Sequence, residues 1–133
     1  MVNNVLEKYL QVLVARKSDS SIYDPNGLNI CPIDKTISLA KYFSAIEGTW
    51  GTLVESVTPG YAIYGVDKQD GMVSFAVIYL GGVEVPHIQH LILDREGRIN
   101  KITSYWNKKP VEDAAKIDNR LKPLVTEGGT IKL

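Results

Sequence analysis

Val2, Leu6, Tyr9 and Leu13, with Val5 and Leu10 beside them, recur every three to four residues at the start of the chain. That spacing gathers one apolar face on an amphipathic helix. Asn4 followed by Glu7 resembles a capping box at its start. The pattern stops in the polar run Lys17-Ser18-Asp19-Ser20-Ser21. Tyr23-Asp24-Pro25-Asn26-Gly27 then carries turn chemistry, and Leu28 to Cys31 reads as a short strand. Ile37, Ala40, Phe43 and Ile46 predict a second helix over residues 36–47, stopped by Gly48.

The second half changes period. Segments 52–58, 61–66, 72–80, 84–93 and 99–106 are rich in Val, Ile and aromatics. Pro59-Gly60, Asp70-Gly71, Gly81-Gly82 and the run from Asp94 to Gly97 separate them as turns, which predicts a meander of hairpins. Residues 111–125 read as a short helix and 126–133 as a tail. Helices first and consecutive strands afterwards imply an α+β fold with a mostly antiparallel sheet. The two predicted helices cover part of one sheet face and leave a concave cavity, the usual form of a ligand site. Alternation along the fourth strand places His87, Gln89 and Leu91 on one face and Ile88, His90 and Ile92 on the other.

Composition narrows the function classes. A chain of 133 residues is one domain's worth. Fifteen basic residues balance fifteen acidic ones, so no broad field favours nucleic acid or an anionic membrane. Cys31 is the single cysteine, which excludes an internal disulfide and a cysteine metal knuckle. The start of the chain shows no secretion signal and no segment is apolar enough to span a bilayer, so a cytoplasmic location is expected. His87 and His90 point to opposite faces and cannot chelate one ion. No phosphate loop and no carboxylate cluster with metal spacing is present, so neither a metal nor a nucleotide cofactor is expected.

The residues from His90 to Trp106 form an apolar strand, an acidic turn closing in Gly97-Arg98-Ile99, and a strand ending in Tyr105-Trp106. That hairpin resembles the last hairpin of ketosteroid isomerases and SnoaL-like polyketide cyclases. The first helix around Tyr9 to Val14, and the segment Glu47-Gly48-Thr49-Trp50-Gly51-Thr52, are similar to parts of the same nuclear transport factor 2-like superfamily. The resemblance covers residues 2–107. It implies a cystatin-like cone, a curved and mostly antiparallel sheet wrapped on N-terminal helices. On this basis residues 1–109 form the domain, and 110–133 a C-terminal extension packing on it or on a dimer partner. A homodimer is expected, because a sheet with one uncovered apolar face needs a cover.

The resemblance also assigns roles. Tyr9 falls where the isomerases place an oxyanion donor. Gln89 stands where they place a carboxylic acid. Asp24-Pro25-Asn26-Gly27 repeats the letters around their catalytic base, although closer to Tyr9 in the chain. The implied function is cofactor-free acid/base chemistry on a small apolar carbonyl compound: isomerisation, cyclisation or dehydration. His87 or Asp24 would move the proton, His87 as a group titrating near neutrality. Tyr9 and Gln89 would hold the developing oxyanion. Trp106, Trp50, Phe75, Ser104, Leu91 and Glu47 are the candidates for the substrate wall. The alternative is a non-catalytic ligand-binding or dimeric scaffolding module, in which His87 is a rim histidine, Tyr9 a structural hydrogen-bond partner, and Asp24 and Asp34 serve turns and caps.

Overall fold

The computed structural model describes residues 4–31 and 36–126. Val2, Asp34 and most of the expected tail lie outside the described residues. In chain order the elements are α1 (Val5–Ala15), β1 (Tyr23–Ile30), β2 (Thr36–Ser38), α2 (Leu39–Glu47), β3 (Val54–Tyr64), β4 (Asp70–Tyr79), β5 (Val83–Leu93), β6 (Ile99–Trp106), α3 (Lys109–Ala115) and α4 (Lys122–Thr126). The strands form one curved, unclosed sheet in the order β2-β1-β6-β5-β4-β3. Its pairings are antiparallel except β1 with β6, which run parallel. The expected α+β architecture is therefore present.

Helix α1 buries Val5, Leu6, Tyr9, Leu10, Val12 and Leu13, the stripe read from the sequence. Its capping box does not form: the Asn4 side chain makes no capping bond, and Glu7 instead accepts from the Tyr64 hydroxyl at 2.9 Å. Helix α2 is shorter than expected at its start. Thr36–Ser38 pairs with β1 as a strand, and the Ser38 hydroxyl then caps the helix by accepting from Lys41 N at 3.2 Å.

Three turn readings are overturned, two of them because a sheet tolerates local irregularity. Pro59-Gly60 is a bulge inside β3, not a hairpin. Pro59 pairs with Phe75 and Ala62 with Val73, so two residues face Ser74 alone. Ser74 Oγ accepts from Tyr61 N at 2.8 Å and satisfies the displaced amide. β3 lies at the sheet edge, the place in a sheet where proline is tolerated. Asp70-Gly71 opens β4 rather than turning. Tyr23 to Gly27 belongs to β1 as a wide irregularity, since Tyr23 pairs with Ile99 and Leu28 with Lys101. Asp24 Oδ1 accepts from Asn26 N at 2.9 Å within it. Gly27 lies so close to the Asn100 carbonyl that a Cβ would overlap it.

The chain after Trp106 also departs from the single expected helix. Helix α3 and helix α4 are separated by a 3₁₀ turn at Asn119–Leu121. Val111, Ala115, Leu121 and Leu124 all join the core that α1 and α2 share with the inner sheet face. The cover over the cavity thus has three parts, not two. Among the described residues no helix is long and apolar enough to cross a membrane.

Candidate functional site

The inner face of β5 carries Val85, His87, Gln89 and Leu91, all buried, as the alternation requires. Antiparallel register sets Phe75 of β4 and Trp106 of β6 on either side of His87. The three rings stack. Phe75 and His87 have centroids 5.0 Å apart at 8°, and His87 and Trp106 lie 5.2 Å apart at 20°. This slab forms one wall of a cavity of about 600 Å³ counted to its open mouth. The space open to the centres of water-sized molecules is about 50 Å³. That holds a few waters or a small organic molecule.

The opposing walls come from many elements: Leu13, Asn29 and Cys31, Ile37, Tyr42 and Ile46, Trp50, Tyr79 and Leu124. Gln89 and Ser104 complete the floor. Among the described residues that line it, none carries a formal charge. Among the described residues no group of three His, Cys, Asp or Glu side chains is placed to hold a metal ion.

The floor is a hydrogen-bonded chain with a definable direction. The Tyr9 hydroxyl donates to Gln89 Oε1 at 2.5 Å. Its one proton is then committed, so the 2.5 Å contact between the Tyr9 and Tyr42 hydroxyls has Tyr42 as donor. Gln89 Nε2 donates both protons, to the Tyr42 hydroxyl at 3.2 Å and to Ser104 Oγ at 2.9 Å. Burial holds both tyrosines above the usual phenol pKa. Both stay protonated, and neither has a proton left for a ligand in this arrangement. Ser104 accepts one bond and keeps its own proton. So does Tyr79, which accepts from Trp50 Nε1 at 3.1 Å.

Two polar atoms are left over. Asn29 Nδ2 and His87 Nε2 are buried and have no hydrogen-bond partner among the described residues. Asn29 is 6% exposed and His87 7%. Each unsatisfied group costs about 1–3 kcal/mol unless something in the cavity bonds it. Burial between two rings, with no carboxylate beside it, pushes the His87 pKa down to about 3. The near-neutral titration expected for His87 is therefore overturned: the ring is neutral at physiological pH.

The structure brings together His87, Gln89, Trp106, Trp50, Phe75 and Ser104 of the expected site. Four expected residues do not line the cavity. Tyr9 is fully buried behind Tyr42 and Gln89. Leu91 is fully buried in the core. Asp24 lies in the β1 irregularity, where Asn100 Nδ2 reaches it at 3.4 Å. Glu47 accepts from Ser18 N at 2.6 Å and ties down the segment after α1, which accounts for an acid at a helix C-terminus. His90 faces the outer side of the sheet and bonds Asp70 Oδ2 at 2.8 Å.

Asn29, Tyr42 and Tyr79 were not among the expected site residues. Leu28 and Ile30 flank Asn29, so apolar residues on the outward phase concealed which phase points inward. Tyr42 sits beside Phe43 on a helix whose expected stripe, Ile37, Ala40, Phe43 and Ile46, passes it by. Tyr79 reads as an ordinary strand aromatic.

No family model and no curated protein matches the chain. Solved structures do match in fold. A steroid delta-isomerase from Pseudomonas aeruginosa aligns with TM-score 0.67 at 14% identity, over 92% of this chain and 89% of that one. A candidate SnoaL-like polyketide cyclase from Jannaschia sp. CCS1 aligns with TM-score 0.64 at 12% identity, over 83% and 88%. A protein with a cystatin-like fold from Methylobium petroleophilum PM1 aligns with TM-score 0.65 at 12% identity, over 80% and 78%. The chain has the cone fold that these proteins share.

Proposed function

We propose that this cone-fold domain takes a small, uncharged organic molecule into the cavity beneath the Phe75–His87–Trp106 slab. The carrying observation is the wall itself: among the described residues it holds two buried polar atoms without partners and no charged side chain. A charged ligand would lose its hydration there with no counter-ion to replace it. A neutral ligand with one or two polar atoms meets no such penalty and offsets the unsatisfied ones. The test is a tryptophan fluorescence titration at pH 7 with three matched probes: cyclopentanone, cyclopentanecarboxylate and cyclopentylammonium. Saturable quenching by the ketone alone is the expected result. Equal or tighter binding of either ion would sink the reading, as would no response to any probe.

A catalytic reading has one specific observation in its favour, the directed hydroxyl chain. If Tyr42 turned its proton toward a ligand oxygen, Tyr9 could turn its own toward Tyr42, and a carbonyl at Tyr42 would be polarised. His87 Nε2 would then shuttle the proton beside that carbonyl. The named activities of the isomerase and cyclase neighbours agree with such chemistry. The lowered His87 pKa makes it a weak base, so this reading ranks second. Deuterium exchange at the α-carbons of cyclopentanone, faster than buffer and lost in His87→Ala, would establish it. Exchange at the buffer rate would leave a binding module.

The outer sheet face supports pairing with a second copy. Ile88 and Tyr105 are register partners on it, 50% and 52% exposed, with Met72 and Ile63 nearby. An apolar sheet face of this kind is commonly covered by another subunit.

A further inference from the structure

We infer that Asn29, Ser104 and His87 form one diagonal row of hydrogen-bonding groups across the inner sheet face, and that the row reads a ligand with a carbonyl-type oxygen at its Asn29 end. The inference rests on the uncharged-ligand reading above and specifies it.

The register defines the row. Asn29 of β1 pairs with Ile102 of β6, and Ser104 lies two residues further along the same face of β6. Ser104 pairs with Gln89 of β5, and His87 lies two residues further along in the same sense, opposite Trp106. Each step therefore crosses one strand and advances two residues. With strands about 4.8 Å apart and about 3.4 Å of rise per residue, neighbouring Cα atoms in the row are about 8 Å apart. One ligand oxygen fits between two such side chains. All three residues line the cavity and all three are buried.

The chemistry of the row is directional. Asn29 Nδ2 is only a donor and is unpartnered among the described residues. Ser104 Oγ is already an acceptor for Gln89 Nε2, so its own proton points away from the floor. A ligand oxygen seated between them would accept from both, and a carbonyl oxygen has two lone pairs to do so. An ammonium group has none. A carboxylate has them but finds no counter-charge among the described wall residues. His87 Nε2, at the far end of the row, meets a second polar atom or the edge of an unsaturated group. An unpartnered Asn29 Nδ2 gives the free protein no stability, which separates this role from an architectural one.

The test follows cyclopentanone binding to the full chain by NMR titration, in the wild type, Asn29→Leu, Asn29→Ala and Ser104→Ala. Loss of one hydrogen bond weakens binding about fivefold in each Asn29 variant. Asn29→Leu is also expected to unfold at the same urea concentration as the wild type or higher, since it removes an unsatisfied donor. Ser104→Ala weakens binding similarly but lowers stability, because it strips Gln89 Nε2 of an acceptor. If the ketone binds the wild type and both Asn29 variants equally, the row is overturned while the uncharged-ligand reading stands. If Asn29→Leu and Asn29→Ala are both clearly less stable, Asn29 is architectural and the inference fails. If the ketone binds no form of the protein, the underlying reading fails with it.

Discussion

The Tyr9 hydroxyl donates its only proton to Gln89 Oε1, so these two side chains satisfy each other rather than a ligand. Both come from the expected oxyanion pair, one on α1 and one on β5. The groups that do face the cavity with capacity to spare are Asn29, Ser104, Tyr79 and His87.

Breaking that bond carries a stability cost that can be measured alone. Tyr9→Phe keeps the ring and its edge contact with Phe43, centroids 5.8 Å apart, but leaves Gln89 Oε1 buried and unpaired. A loss of about 1–3 kcal/mol is expected in urea denaturation. Unchanged stability would mean that the bond does not hold the floor together.

The buried imidazole gives the protein a distinctive acid sensitivity. His87 has its folded pKa at about 3, below the 6.5 of a free histidine. Between those values the unfolded chain binds the proton and the folded chain does not. Stability is therefore complete above about pH 6.5 and falls as pH drops toward 3. Between pH 7 and pH 5 the loss from this one group is about 2 kcal/mol. His87→Phe, which fits the stack between Phe75 and Trp106, is expected to lack that component. Parallel urea titrations of both proteins at pH 7 and 5 decide it, and equal losses would place His87 in contact with solvent.

Gly27 holds the β1 irregularity against β6. A Cβ there overlaps the Asn100 carbonyl, which is backbone and cannot swing away, and crowds Leu39. Gly27→Ala is expected to cost about 1–3 kcal/mol, and to disturb Asn29 two residues on. Amide chemical shifts along β1 report the second effect; a wild-type spectrum would contradict it.

Pairing through the outer face is tested by Ile88→Glu. Sedimentation of the wild type is expected to show a dimer, and of the variant a monomer with unchanged urea stability at low concentration. A wild type that stays monomeric at high concentration removes the proposal.

The class of fold was legible because it depends on period. The three-to-four spacing of α1, the alternation of β4 to β6 and the Gly81-Gly82 and Gly97 turns are local properties, and each survived in the structure. The face shared by His87 and Gln89 followed from the same alternation. Pro59-Gly60 and Asp24 to Gly27 were misread because turn chemistry and bulge chemistry use the same residues. Only the partner strand, through Ser74 in one case and Asn100 in the other, decides between them.

The sequence by itself thus determined an α+β chain with a candidate polar row on one strand, because side-chain alternation is a covalent consequence of extended backbone. What tertiary structure alone decided was which polar groups remain unsatisfied. Tyr9 and Gln89 lie 80 residues apart in the chain and consume each other's hydrogen bonds. Asn29, half hidden between two apolar neighbours, ends in the wall with its Nδ2 unpartnered among the described residues. The protonation of His87 was settled in the same way, by two rings from neighbouring strands that exclude water and make its charged form costly.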